Sequence, residues 1–347
     1  MKKIIISVLA IILMVSCNDD FLEKYPKTDL NEKNAFLSYD TYRYFMYPCY
    51  DMFQNTNILT SVKDNGTSSV YRGDVWAGYL GKKNSQNQYA SQSVSKSSSG
   101  NGWNFSYIRR VNLMLSHVDE GILDEIEAKH WRAVGYFFHS FWYMELIARF
   151  GDVPWVDKVL NDASPEAYDG RMPRKEVADK VLERLIWAEE NIGDSKRDGD
   201  GKNSQAINQN TIRAAISRFT LREGTWRKYH GLGDYDKYFT ACAKYSELLM
   251  ADYPNLYMGT DKNNQGQPVP GTGYGEMWTT RDLANVPGVI FFKRFVGELN
   301  GHRFSDYEHI ASHDVEMPQY TVDMYLCQDG KTISNSSVYE FGASDRM

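Results

Sequence analysis

The segment HWRAVGYFFHSFWYMELIARF, residues 130–150, sets the tightest limit on what this chain can fold into. Laid on a helix, it carries apolar or aromatic groups nearly all round, broken mainly by Arg132, His139, Glu145 and Arg149. A helix apolar on every side is buried between neighbours and does not lie on a surface. The fold must therefore place neighbouring elements on more than one side of it. Gly151 and Pro154 mark its end, as a C-terminal glycine followed by proline usually does.

The flanking sequence supplies those partners. From Phe105 onward, Ile108, Val111, Leu115 and Val118 fall at helical spacing. Pro173 opens a helix with Val177, Val181, Leu185 and Ala188 on one face. Thr211 opens another, on which Ile212, Ala215, Ile216, Phe219 and Trp226 share a side. A third follows Asp234, with Tyr235, Phe239, Cys242 and Leu249 aligned. Nearer the start, Asn34 to Phe53 reads as an aromatic-rich helix that Pro48 must kink or end. Successive amphipathic helices joined by turns predict antiparallel pairs stacked into a solenoid-like body, although no fixed-period repeat is visible. The expected class is mainly α, with long irregular loops and a few short strands.

The loops are as distinct as the helices. Residues 54–104 include GKKNSQNQYASQSVSKSSSGNG, which has almost no aliphatic residue and cannot pack as a core element. After residue 250 the helical pattern stops. DKNNQGQPVPGTGYGEMW reads as a Gly/Pro-rich loop, and GVIFFKRFV as a short buried strand. The chain closes on SDRM without a capping pattern, which reads as a fragment of a longer protein.

The N-terminus is a processing signal. Lys2 and Lys3 precede Ile4 to Val15, in which only Ser7 is polar. That run is too short for a membrane span, which needs about 20 apolar residues. It fits the apolar part of a signal peptide over residues 1–16. Cys17 follows Ser16 directly and precedes Asn18, Asp19 and Asp20, a layout that resembles a bacterial lipoprotein signal with Cys17 lipidated. A plain secretory signal containing a cysteine is the alternative. Residues 17–33 would then form an extended tether and residues 34–347 the helical domain. The net charge of −6, with both signs interspersed, argues against nucleic acid. Cys49, Cys242 and Cys327 are odd in number and far apart, so buried free thiols are expected.

Several segments together resemble the SusD/RagB family of Bacteroidetes outer-membrane lipoproteins. They are CNDDFLEKYPKTDLNEKNAF, WNFSYIRRVNLMLSHV, HWRAVGYFFHSFWYMELIARFGDVPW, PRKEVADKVLERLIWAEENI, the region of ISRFTLREGTW, and TVDMYLCQDGK, all in family order. Family members are longer than 347 residues, so the resemblance implies that the C-terminal part of the family domain is missing here. It also implies a body of tetratricopeptide-like helix pairs with a ligand site on irregular loops. The implied function is non-catalytic: nutrient oligosaccharides are bound at the cell surface and passed to a SusC-like TonB-dependent transporter.

Binding sugars without chemistry asks for exposed aromatic faces and polar partners for hydroxyls. Arg72, Asp74, Trp76 and Tyr79 lie in YRGDVWAGYLG, and Tyr274, Trp278 and Arg281 in GYGEMWTTRD. Trp76 and Trp278 lead this set. A loop tryptophan can equally plug its loop onto the body, and both readings stand. Trp103, Trp131, Trp142 and Trp187 read as packing residues.

Enzyme machinery is thin. His309 and His313 are four apart beside Asp306, Glu308 and Asp314, yet there is no HExxH. Ser93 and Lys96 form S-x-x-K inside a serine-rich tract. No cofactor motif is present. Loop carboxylates and carbonyls could hold a structural calcium, although no EF-hand spacing favours it. Two other functional classes stay open: a lipoprotein glycoside hydrolase, since 45 acidic residues leave many carboxylate pairs, and a helical-repeat scaffold that binds only protein.

Overall fold

A computed structural model describes residues 34–53, 79, 81–82, 103–193, 205–267, 269, 272–294 and 315–338. The signal, Cys17 and the tether lie outside these residues. The expected mainly α body is present. Its centre is the helix α3, Glu125–Phe150, preceded by α1 (Tyr39–Met46) and α2 (Ser106–His117) and followed by α4 (Arg174–Asn191), α5 (Gln209–Tyr229) and α6 (Asp236–Asp252). Two shorter helices, α7 (Thr272–Thr279) and α8 (Gln319–Asp323), come later. The strands are two residues long: β1 (Gly81–Lys82) pairs antiparallel with β2 (Val315–Glu316).

Local chemistry explains the boundaries. Ser38 and Thr41 form a capping box at the start of α1, and Asp124 with Glu127 does the same for α3. At Pro48 the α-helix gives way to a 3-10 turn over Tyr47–Met52, since proline has no N–H to continue the ladder. Gly151 ends α3 with a φ of 70°, a conformation that favours glycine, and its N–H donates to the Ile147 carbonyl. Beyond it, the Tyr143 hydroxyl donates to the Pro154 carbonyl and accepts from the Val156 N–H, which folds the exit segment back onto α3.

α3 is buried on several sides, as its composition requires. Trp131, Val134, Phe137, Phe138, Tyr143, Leu146 and Ile147 all belong to the main core. Each such side chain contributes roughly 1.5–3 kcal/mol by leaving water. Gly135 lets α2 approach closely, because a Cβ there would lie 2.7 Å from both Leu115 Cδ2 and Met114 Cε. His139 is buried among these groups; burial, with Arg184 nearby, pushes its pKa well below the ordinary value and keeps the ring neutral.

The helices run antiparallel, each against the next. Arg213 near the start of α5 pairs with Glu189 at the end of α4 and Asp252 at the end of α6. Arg227 near the end of α5 reaches Asp179 early in α4 and the Tyr238 hydroxyl early in α6. Glu223 lies beneath this second group. It accepts from Arg227 Nε at 2.8 Å and pairs with Arg174 at 2.7 Å, with its own side chain 1% exposed. Burial works against the charge on Arg227, but the Glu223 hydrogen bond and the surrounding carboxylates raise its pKa.

Four expectations need correction. In α6 the buried line is Tyr238 and Tyr245, while Tyr235, Phe239, Cys242 and Leu249 are only half-buried. The two tyrosines turn inward because each has a large apolar ring, and Tyr238 also finds polar partners for its hydroxyl. Phe239 still lies on α5, over Gly224, where a Cβ would come within 2.8 Å of its ring. Trp226 is not a core residue of α5. It is 43% exposed, stacked on His230 at 3.9 Å and covered by the Arg174 guanidinium. Helices do not stop at residue 250, because α7 and α8 follow. Finally, GVIFFKRFV forms no strand over its described part, residues 288–294. Val289 and Phe292 enter a small second core, while Phe291 packs 4.9 Å from Phe53 in the main one. An apolar run of this length buries its side chains whether or not a ladder partner is available.

Cys49 is fully buried, and burial pushes its thiol up to about 12. It is a free thiol, as are the half-buried Cys242 and Cys327.

Candidate functional site

Among the described residues, α7 carries the site that the aromatic pattern pointed to. Its eight residues, TGYGEMWT, alternate between a face that holds the body and a face that meets solvent. Gly273, Glu276 and Met277 are spaced to lie on one side of a helix, and Tyr274 and Trp278 on another. The expected Gly/Pro-rich loop is therefore partly a helix, and that periodicity is what sorts its side chains.

The inward side is tightly fitted. Gly273 is buried, and a Cβ there would lie 2.4 Å from the Tyr257 carbonyl oxygen and 2.5 Å from the Met258 carbonyl carbon. No L side chain fits against backbone at that distance. Met277 packs on the small core of Val286, Val289 and Phe292 with Tyr257, Leu283 and Ala284. Glu276 gathers the loop before the helix. Its carboxylate accepts from the Thr260 N–H at 2.8 Å, the Thr260 hydroxyl at 2.8 Å and the Tyr257 hydroxyl at 2.9 Å. The Thr260 backbone and hydroxyl donors, joined by those of Tyr257 and Asp261, hold Glu276 below its ordinary carboxylate value of 4.5. The same hydrogen bond raises the pKa of Tyr257, so its hydroxyl stays a donor.

This anchor has a definite pH dependence. A carboxylate whose folded pKa is depressed adds stability above its unfolded value and loses it as the pH falls through the folded one. α7 should stay docked from neutral pH down to about 5 and loosen only below the ordinary value of 4.5. Trp278 fluorescence followed against pH checks this; loosening between about pH 7 and 6 would count against Glu276 as the anchor.

The outward side presents two rings. Tyr274 is 71% exposed and Trp278 69% exposed, with centroids 5.9 Å apart and planes inclined at 73°. Trp278 is thus no plug on the body. Arg281 stands exposed just beyond the helix. The structure brings Tyr274, Trp278 and Arg281 to one short segment. Tyr79 belongs to a different element: it lies beside β1, its carbonyl accepts from the Thr321 hydroxyl of α8, and it is exposed. Arg72, Asp74 and Trp76 lie outside the described residues, as do Ser93, Lys96, His309 and His313. Glu276 and Gly273 were not foreseen. The signal for them was present in the i, i+3, i+4 spacing of Gly273, Glu276 and Met277 beneath the i, i+4 pair of aromatics.

The other tryptophans mostly pack. Trp131 is buried, the Trp142 indole donates to the Asn104 carbonyl, and Trp187 meets Tyr136 edge-on at 5.1 Å. Trp103 sits half-open at the surface, edge-on to Phe150 and covered by Arg171. Among the described residues no group of three or more His, Cys, Asp or Glu could hold a metal ion. No helix among them is long and apolar enough to cross a membrane.

Antiparallel helix pairs around a central aromatic helix, with a segment beyond them that exposes Tyr274 and Trp278, define a helical body with an aromatic pair at its surface. Residues 20–221 match the SusD-like family described as starch-binding and associating with the outer membrane, and the chain belongs to that family. It is similar to SusD-like protein P2 of Formosa agariphila, 24% identical over 176 residues that cover 48% of this chain and 32% of that one. It is also similar to a SusD superfamily protein of Parabacteroides distasonis, at 20% identity and a TM-score of 0.47, covering 66% of this chain and 47% of that one. A SusD-like protein of Bacteroides fragilis gives 18% identity and a TM-score of 0.44, with coverage of 68% and 42%. The chain thus spans about a third of the curated relative and under half of either solved structure. α7 lies beyond the segment that matches the family.

Proposed function

We propose that this protein is a non-catalytic, lipid-anchored glycan-binding subunit of the outer membrane that passes nutrient oligosaccharides to a SusC-like TonB-dependent transporter. The observation that carries the reading is the Tyr274–Trp278 pair, two exposed rings held outward by a helix whose other face is locked by Gly273 and Glu276. A pyranose offers C–H groups to such faces, and its hydroxyls find a donor in Arg281. Trp76, Asp74 and Arg72 are further candidate contacts by residue type, and Tyr79 stands exposed on a different element. The family's description as starch-binding and associating with the outer membrane supports both the ligand class and the location. Cys17 supplies the anchor in this reading, and the helical body supplies the surface for the transporter.

Affinity electrophoresis of the full-length protein against a polysaccharide panel that includes soluble starch tests the proposal. Trp278→Ala should weaken binding at least tenfold, about 1.4 kcal/mol, with the melting temperature nearly unchanged. Wild-type retardation by the variant would remove α7 from the site. Release of shorter sugars from an incubated polysaccharide would overturn the non-catalytic assignment.

A further inference from the structure

The start of the body carries a run of aromatics that core packing explains only in part. Tyr44, Tyr47, Tyr50 and Phe53 recur at every third residue, and from Tyr47 to Met52 the backbone is the 3-10 turn that Pro48 imposes. Such a turn rises about 2.0 Å per residue and eclipses side chains three apart, which sets them roughly 6 Å from one another. The rings follow that geometry. Successive centroids lie 5.8, 6.4 and 6.1 Å apart, each plane inclined to the next by 57–69°.

The inner two rungs of this ladder pack against the core. Tyr50 meets Phe138 edge-on at 5.1 Å, and its hydroxyl accepts from the Ile207 N–H. Phe53 lies 4.9 Å from both Phe141 and Phe291. The outer two rungs are open. Tyr44 is 46% exposed and Tyr47 50% exposed, and neither hydroxyl has a hydrogen-bond partner among the described residues. The flanking charges are matched to each other, Asp40 with Arg43 at 2.9 Å and Asp51 with Lys293 at 3.4 Å. What is left to a ligand is two apolar rings and two phenolic hydroxyls that both donate and accept, a set suited to a neutral hydroxylated molecule.

The geometry also repeats that of α7, whose rings are 5.9 Å apart and inclined at 73°. Phe291, which meets both Tyr50 and Phe53, belongs to the same segment as Val289 and Phe292 of the small core under α7. One buried seam thus carries both exposed pairs.

We propose that Tyr44 and Tyr47 form a second glycan platform, which takes a neutral stretch of the polysaccharide held at α7; the inference rests on the glycan-binding reading of that helix. Pyranose C–H faces pack on the two rings, and the phenolic hydroxyls exchange hydrogen bonds with sugar hydroxyls. Once α7 is engaged, the second contact forms at a raised effective concentration, so long chains gain more than short ones.

Affinity electrophoresis of the full-length protein in gels of soluble starch, dextran or a soluble β-glucan tests this. In a gel that retards the wild type, Tyr44→Ala with Tyr47→Ala should weaken retention roughly tenfold or more at an unchanged melting temperature. Adding Trp278→Ala should abolish retention. Unchanged retention in the double tyrosine variant, with loss in Trp278→Ala alone, would overturn the second platform and leave α7 standing. Retardation of the wild type in none of the three gels would also overturn it, and α7 would then be judged on the wider panel. Tyrosine-ring NMR of the wild type reads the same contact without a substitution, should the variant fail to fold. The Tyr44 and Tyr47 signals should shift saturably with oligosaccharides of the retarding polymer while those of buried Tyr238 and Tyr245 stay fixed, and an absence of shift at Tyr44 and Tyr47 would refute the platform.

Discussion

Replacing Glu223 with alanine is expected to destabilise the protein by about 3–5 kcal/mol, the cost of breaking a buried ion pair from one side. Its partners determine the size of the effect. Arg227 is 1% exposed and Arg174 has a side chain 14% exposed, and both lose their shared counter-charge at once. Asp179 remains near Arg227 at 3.2 Å, but its side chain is 38% exposed and already serves Lys237 and Tyr238. At about 2–4 °C per kcal/mol for a domain of this order of size, the melting temperature should fall by roughly 6–20 °C. Urea unfolding gives the free energy directly, and a loss under about 1 kcal/mol would show that the network is incidental. The exposed Lys129–Glu125 pair on α3 is the control, since a solvent-screened i, i+4 pair contributes little to stability.

Gly273→Ala should displace α7 while leaving α2 to α6 intact. The added methyl would meet the backbone of Tyr257 and Met258, which cannot rotate out of the way as a side-chain tip can. Overpacking of this kind costs about 1–3 kcal/mol, and here it falls on a helix of only eight residues. Gly275→Ala in the same helix meets nothing within 4 Å, so it should stabilise by roughly 0.5–1 kcal/mol through lower backbone freedom. The opposite signs of two chemically identical changes, two residues apart, make the comparison decisive. Amide exchange over residues 272–279 should quicken in the first variant and slow in the second. Equal protection in both would mean that the close approach at Gly273 does not hold the helix.

The body was legible because its signals are strong and local. α3 is apolar nearly all round, so its burial in the core follows from its own residues. Val177, Val181, Leu185 and Ala188 were read as one face of α4 and are all fully buried. α6 was misread by one position because the aligned set favoured Phe239 and Leu249 as the more apolar residues. Tertiary context chose Tyr238 and Tyr245, and Tyr238 keeps its hydroxyl bonded inside. At the candidate site, the aromatic residues were legible and their mounting was not. Glycines and prolines around residues 266–273 hid an eight-residue helix, and Glu276 looked like any other acidic surface residue. Its partners Tyr257 and Thr260 lie up to 19 residues earlier, beyond the reach of periodicity.

The contact of Phe291 with Tyr50 and Phe53 has a consequence for how the chain reaches its native state. The stacked helices are built almost wholly from neighbours in sequence, and local contacts form early and fast. By contrast, the Lys293–Asp51 bond beside those rings joins residues 242 positions apart. Closing so long a loop is entropically unfavourable until the intervening helices have shortened it. The second core and the aromatic helix it supports should therefore be the last region to fold and the first to come away. A refolding experiment would then show the helical signal recovered well before the environment of Trp278.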